Sequence, residues 1–266
     1  MMIRALWTGA NGMKAQQTNI DAVANDLSNV NTVGYKKTHV TFADLFYQKL
    51  RAAGSVGADD NNLPVGIQVG NGVKVTGTVK QFSQGQALET SIPTNMMIKD
   101  PGSNAQSFFP VEIGDDVFYT RDGSFTKDND GRLTLANGAR LQDIQITDEA
   151  ATNITITEEG RVLYTDEAGT QVDAGRVQLA RFSNPAGLEP LGDNLFAQSE
   201  SSGDATVGDA GTNGYGKIQA QWVEVSNVDA IDEMVKLISA QRAYEFNSRS
   251  IQTSDEMLQT VNGLKR

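Results

Sequence analysis

The chain has 266 residues, 39% hydrophobic and 21% charged, with 26 Gly, 6 Pro and no Cys, the balance of a folded, turn-rich protein in which disulfides and cysteine-based metal sites are excluded. A formal net charge of −11 argues against an extended nucleic-acid surface and against a polybasic membrane contact. No run approaches the roughly 20 apolar residues that span a bilayer, and the N-terminus lacks the charged and apolar regions of a cleaved signal peptide, so any export would follow another route.

In chain order, Ile3, Leu6, Ala10, Met13, Gln17, Ile20, Ala24 and Leu27 follow one another at steps of three and four. The spacing predicts a helix from about Met2 to Asn31, with Gly34 as a left-handed C-terminal cap. Steps averaging about 3.5 residues keep one seam turned to a partner helix, the condition for coiled-coil packing. Full burial of Ile3, Leu6, Met13, Ile20 and Leu27 is worth roughly 1.5–3 kcal/mol each. Ordering the backbone costs about 1–2 kcal/mol per residue, and Gly9, Gly12, Asn11, Asn19 and Asn25 weaken the helix further. More than one neighbouring helix is therefore expected, with the termini ordering on assembly. Phe42, Leu45, Phe46 and Leu50 predict a short second amphipathic stretch, and residues 51–64, rich in Gly, Ala, Ser, Asp and Asn, a loop.

Strand signals follow. Val73, Val75 and Val79 share an alternating face after Asn71-Gly72, as do Ile154 and Ile156. The dipeptides Asp122-Gly123, Asp130-Gly131, Asn137-Gly138 and Asn213-Gly214 read as turns between short runs such as 117–120 and 133–135, and Val177, Leu179 and Phe182 suggest a further strand. Ser199 to Gly216 reads as a linker back to a helix. That last helix, within 226–266, repeats the first pattern with Met234, Leu237, Gln241, Tyr244, Ser248, Ile251, Asp255 and Leu258. Ser226 with Asp229 resembles a capping box, Asp232, Glu233, Lys265 and Arg266 suit the helix dipole, and Glu245 precedes Arg249 at i,i+4. The polar seam residues Gln17, Gln241, Ser248 and Asp255 are read as fixing the register of partner helices. The expected fold is α+β: long N- and C-terminal helices forming a coiled-coil-like core layer around a central antiparallel β-rich domain. Its segments are 1–46, 47–72, 73–198, 199–225 and 226–266.

Catalytic chemistry has little to use. His39 is the only histidine and reads as a surface or satisfied packing residue. Asp128-Asn129-Asp130-Gly131 has Thr126 and Asn137 where a calcium loop needs Asp and Glu, so a hairpin turn is expected. Glycines 66, 70 and 72 lack dinucleotide spacing, and carboxylates such as Asp115, Asp116, Glu158 and Glu159 read as solvated surface before they read as a glycosidase pair. No catalytic, cofactor or metal site is expected.

Three ordered motifs carry a resemblance. Residues 25–36 (Asn-Asp-Leu-Ser-Asn-Val-Asn-Thr-Val-Gly-Tyr-Lys) resemble the basal-body rod signature of the axial proteins of the bacterial flagellum. The segment 119–125 (Tyr-Thr-Arg-Asp-Gly-Ser-Phe) resembles that family's central β-motif. The run from Ser226 through Gln241-Arg242-Ala243-Tyr244-Glu245 to Leu258 is similar to its closing helix. Within the family, residues 47–72 are similar to the insertion of the distal-rod type, which would make Tyr47, Leu50, Leu63 and Pro64 part of a rod-stiffening loop. Phe42 and Phe46 resemble an export signal read by the flagellar type III apparatus. The resemblance implies a non-enzymatic structural subunit in an open helical homo-oligomer, transmitting motor torque to the hook across the periplasm. Its implied partners are adjacent rod and hook proteins and the surrounding basal-body rings. A proximal-rod or hook subunit is the alternative within the family, and a carbohydrate-active enzyme the alternative outside it. Two residue patterns depart from the family: Asp26 stands where the signature usually carries Asn, and residues 100–109 replace a compact Gly-x-Gly-Phe-Phe turn. A changed hydrogen bond to a neighbouring subunit is expected from the first.

Overall fold

Helix α1 spans Met2–Ser28, ending before the Asn31 that periodicity predicts. The weak helix formers Ser28, Asn29 and Asn31 yield to local turns there, with Thr32 N donating to Asn29 O at 3.2 Å. Gly34 is left-handed, with φ +72°, but it does not cap the helix: a Cβ at this position would lie 2.6 Å from the Asp122 nitrogen. The glycine is needed for close approach of two backbones. The structure, a computed structural model, describes residues 2–51, 65–102, 106–146, 152–166 and 169–263. The chain forms two units, one of residues 1–27, 38–79 and 230–266, the other of 28–37 and 80–229.

The first, helical unit holds α1 with strands β1 (Thr38–Asp44), β2 (Gln48–Arg51), β3 (Ile67–Val69) and β4 (Val73–Lys80), and a second helix α2 (Ala230–Gly263). The 42–50 stretch, spaced like a helix face, is not helical: Phe42 lies in β1 and Leu50 in β2, with residues 45–47 connecting them, and β1 pairs with β4 and β2 with β3, so ladder bonds replace helical ones. Along β4 the valines 73, 75 and 79 share the more buried face, as the alternation predicts. The 51–64 loop falls almost wholly outside the described residues. Glycines of α1 are sites of close approach between the helices: a Cβ on Gly9 would meet Ile251 Cγ1 at 2.8 Å, and one on Gly12 would meet Asn247 Nδ2 at 2.8 Å. These glycines, weak in an isolated helix, let two backbones come together. Helix α2 begins after Asp229, not after Ser226, whose Oγ accepts from Val228 N at 3.3 Å. Glu245 pairs with Arg242 at 3.7 Å, in place of the expected Arg249. Lys265 and Arg266 lie outside the described residues.

The β-rich unit contains β5 (Ala87–Glu89), β6 (Met96–Lys99), β7 (Ser107–Ile113), β8 (Asp116–Thr120), β9 (Thr126–Lys127), β10 (Arg132–Thr134), β11 (Arg140–Gln145), β12 (Thr152–Ile156), β13 (Arg161–Thr165) and β14 (Gln171–Arg176). It continues with β15 (Gln178–Arg181), β16 (Glu189–Gly192), β17 (Leu195–Ala197), β18 (Thr206–Asp209), β19 (Lys217–Ala220) and β20 (Trp222–Glu224). Its main sheet runs β16-β17-β8-β7-β11-β10-β9, with β15 bridging β7 and β18; β12-β13-β14 form a second sheet, and β6 pairs with β19 and β5 with β20. Residues 199–216, linker-like in composition, contribute β18 to the main sheet, with Ala210 fully buried.

One core gathers Met96, Phe109, Phe125, Leu133, Leu179 and Ile218. A second is aromatic, with edge-to-face pairs such as Tyr119–Phe182 at 4.7 Å and Phe82–Phe196 at 5.1 Å, a geometry that adds about 0.5–1.5 kcal/mol beyond burial. The 128–131 turn closes as expected, Gly131 N donating to Asp128 O at 2.9 Å between β9 and β10. Asp122-Gly123 is not a hairpin turn. Asp122 Oδ1 accepts from Ser124 N, and a Cβ on Gly123 would collide with Met96 O.

Candidate functional site

Two features carry functional chemistry. The first is the surface of the helical unit. On α2, Glu233, Ala240 and Ser254 are buried, and Ile251 lies against Gly9. Roughly opposite, Ile231, Met234, Val235 and Ile238 form an apolar stripe at i, i+3, i+4 and i+7; Ile231 is 70% exposed, Val235 62% and Ile238 57%. Phe246, Trp7, Phe46 and Tyr47 are also exposed. The helix is thus apolar on two faces, and its own chain covers only one of them.

The residues expected at a subunit interface divide between those faces. Met234, Gln241 and Tyr244 are exposed, whereas Leu237, Ile251 and Leu258 are half-buried. On α1, Leu6, Met13, Ile20 and Leu27 are half-buried and Gln17 is exposed, while the buried positions are Gly9, Ala15, Val23 and Asp26, none of them a large apolar residue of the seam. The side chain of Ile3 lies outside the described residues. Of the outer α2 stripe only Met234 belongs to the expected set; Ile231, Val235, Ile238 and Trp7 do not. The signal was present in the i, i+3, i+4, i+7 spacing of 231–238, which a heptad search anchored on Met234 and Leu237 passes over. Phe42 is partly and Phe46 almost fully exposed, at 92%. Tyr47 and Leu50 are exposed, and Leu63 and Pro64 fall outside the described residues.

The second feature is a buried charge cluster in the β-rich unit. Lys36 Nζ donates to Glu224 Oε1 at 2.6 Å and to Ser83 O at 2.8 Å. Arg121 Nη1 reaches Glu224 Oε2 at 3.4 Å, and its Nη2 donates to Asp100 Oδ2. Glu224 Oε1 also accepts from Gly85 N at 2.7 Å, and Asp100 Oδ1 from Ser107 N at 3.1 Å. The Arg121 guanidinium lies over the Phe108 ring, 5.2 Å from its centre. Two cations and two anions thus balance in a site closed to water, which a buried charge requires. Burial lowers the Lys36 ammonium to about 8, outweighing the attraction of Glu224. Burial likewise raises Asp100 against the pull of Arg121. The departure at residues 100–109 thus supplies Asp100 to this cluster. The other departure, Asp26, bonds within the chain: both its carboxylate oxygens accept from Thr38 N at 3.0 Å.

Among the described residues no group of three or more His, Asp or Glu could hold a metal ion, and His39 is exposed on β1. Among the described residues no helix is long and apolar enough to cross a membrane.

Three family models match. Residues 6–36 match "Flagella basal body rod protein", 104–164 match "Flagellar hook protein FlgE/F/G D1 domain", and 219–264 match "Flagellar basal body rod FlgEFG protein C-terminal". Over the full length of both chains, the sequence is 43% identical to the flagellar basal-body rod protein FlgG of Borreliella burgdorferi. The FlgG of Caulobacter vibrioides is 39% identical over 99% of this chain and all of its own, and that of Bacillus subtilis 34% over all of both. The chain belongs to the FlgG family of flagellar basal-body rod proteins. It is a structural subunit of the distal rod in the flagellar basal body. Each matched segment of the FlgG-family chain supplies one residue to the buried cluster: Lys36 from the first, Arg121 from the second, Glu224 from the third. The rod signature of this chain therefore contributes to the core of the β-rich unit as well as to helix α1.

Proposed function

We propose that this chain polymerises through its two terminal helices into an open, rigid helical shaft that transmits motor torque across the periplasm to the hook. The observation that carries the reading is the apolar stripe Ile231, Met234, Val235 and Ile238 on the outer face of α2, more than half exposed at three of its four positions. Exposed apolar side chains of this size gain roughly 1.5–3 kcal/mol each on burial, and a helix with two apolar faces needs a partner for each. In the assembly the helices of neighbouring copies form a coiled-coil-like core layer. Ile3, Leu6, Met13, Gln17, Ile20, Leu27, Met234, Leu237, Gln241, Tyr244, Ile251 and Leu258 lie within it, joined by Ile231, Val235 and Ile238. Contacts between unlike patches whose rotation does not close let the polymer grow as a filament. Twisting it shears close-packed side chains, and close packing resists that.

Phe42 and Phe46 serve recognition by the type III export apparatus, which delivers the subunit. The 47–72 insertion, including Tyr47, Leu50, Leu63 and Pro64, stiffens the shaft. Adjacent rod and hook proteins and the surrounding rings are its other partners. The chain is not an enzyme and uses no cofactor.

The test is a double variant, Val235→Glu with Ile238→Glu, which places charge on the outer stripe and leaves the face toward Gly9 intact. The variant should remain folded, sediment as a monomer and fail to complete rods in cells. Normal rods and normal polymers from it would refute the reading.

A further inference from the structure

Every covalent path between the two units enters the β-rich unit through one of three stretches: residues 28–37, which leave at both ends, the segment starting at 80, and the segment ending at 229. Within the β-rich unit these stretches are tied together twice. On one side Asn227, in the third stretch, binds the other two: its Oδ1 accepts from Lys37 N at 2.8 Å, and its Nδ2 donates to Gln81 O at 2.8 Å and to Ser83 Oγ at 3.0 Å. Main-chain bonds add to it, Gln81 N donating to Lys37 O at 2.9 Å and Gly34 N to Glu224 O at 2.8 Å. On the other side the ion pair joins the same three, Lys36 Nζ reaching both Ser83 O and Glu224, and Glu224 holding Gly85 N. Lys80 Nζ, which donates to Lys36 O at 2.9 Å, also lies 4.4 Å from the centre of the Tyr35 ring.

The Lys36–Glu224 part of this node is buried, whereas the Asn227 amide bonds to Gln81 and Ser83 are exposed; polar networks in which each bond orients the next hold together more firmly than their separate pairs, and such regions open as units. We propose that this node is a cooperative latch: the three junction stretches open and close as one, so that load arriving through any of them is carried by all. Asn227 is the positioning residue, since its one amide contacts a main-chain atom of each of the other two stretches.

Asn227→Asp separates a latch from a set of independent bonds. The substitution keeps the acceptor for Lys37 N and removes the donor to Gln81 and Ser83; Asn227→Ala removes both. In the full-length free chain, hydrogen exchange should accelerate by a common factor of about tenfold or more at the amides of Gly34, Lys37, Gln81 and Gly85 in both variants, while β7 and β8 stay unchanged. If Asn227→Asp speeds only Gln81 and Gly85, the stretches are independent and the proposal fails. If β7 and β8 accelerate equally, the residue supports only global stability, and the proposal fails again. Cells carrying Asn227→Asp should build rods in normal number and swim normally in dilute medium, yet slow severalfold in viscous medium. Unimpaired swimming under that load, or absence of rods, would overturn the load-sharing role. A failure of helix-driven assembly appears instead as missing polymers in the α2 stripe variant.

Discussion

Glu224 faces two cations with one carboxylate, and that arrangement sets the sharpest expectation for single residues. Removing one partner of a buried pair leaves charge without compensation, a loss of about 3–5 kcal/mol. Glu224→Gln should destabilise the β-rich unit by that amount in denaturant melts, and a loss below about 1 kcal/mol would show the cluster to be peripheral. Lys36 adds a pH dependence. Its folded value of about 8 lies below the ordinary 10.5, so between those values the folded chain binds fewer protons than the unfolded one, and stability held in this group rises with pH. Below about pH 8 the penalty of burying the ammonium is present in full. Measured against Lys36→Met, which lacks the titration, the wild-type chain should gain about 1–3 kcal/mol from pH 8 to 10.5. A falling difference would mean that attraction to Glu224 outweighs desolvation. No sequence pattern announced this cluster, because its four members stand at 36, 100, 121 and 224 and meet only through the tertiary fold. Three of them nonetheless lie in or beside motifs that the sequence made conspicuous.

At the scale of elements, the pairing of α1 with α2 depends on glycine. Gly9→Leu should cost the helical unit about 1–3 kcal/mol through overpacking against Ile251, and Ile251→Ala in the same chain should recover part of it. Equal stability of the single and double variants would show that the two positions do not meet. The helices themselves were legible because their apolar residues recur at helical spacing over many turns. Which face turns inward was not. A search for large apolar residues points to Leu6, Met13 and Ile20, whereas helices approach most closely where side chains are smallest, at Gly9 and Gly12. Turns were legible where glycine supplies a positive φ, as at Gly131 and Gly138. They were not where glycine serves close packing, as at Gly123 against Met96 O. The 42–50 stretch misled for a different reason: its i,i+4 aromatics fit a helix, but pairing with β4 and β3 wins, since strand propensity follows neighbours more than local spacing.

At the scale of the whole molecule, family membership and the doubly apolar α2 converge on one account, a subunit whose helices find their remaining partners in other copies. Deleting residues 47–72 should yield a curved or more flexible polymer, visible in micrographs of isolated basal bodies; straight rods of normal stiffness would remove the insertion from the account. The most direct test of the central claim is electron cryomicroscopy of rods assembled from this chain, at a resolution that locates side chains. Ile231, Val235 and Ile238 should be packed against helices of neighbouring copies. Finding that stripe turned to solvent throughout an intact rod would contradict it.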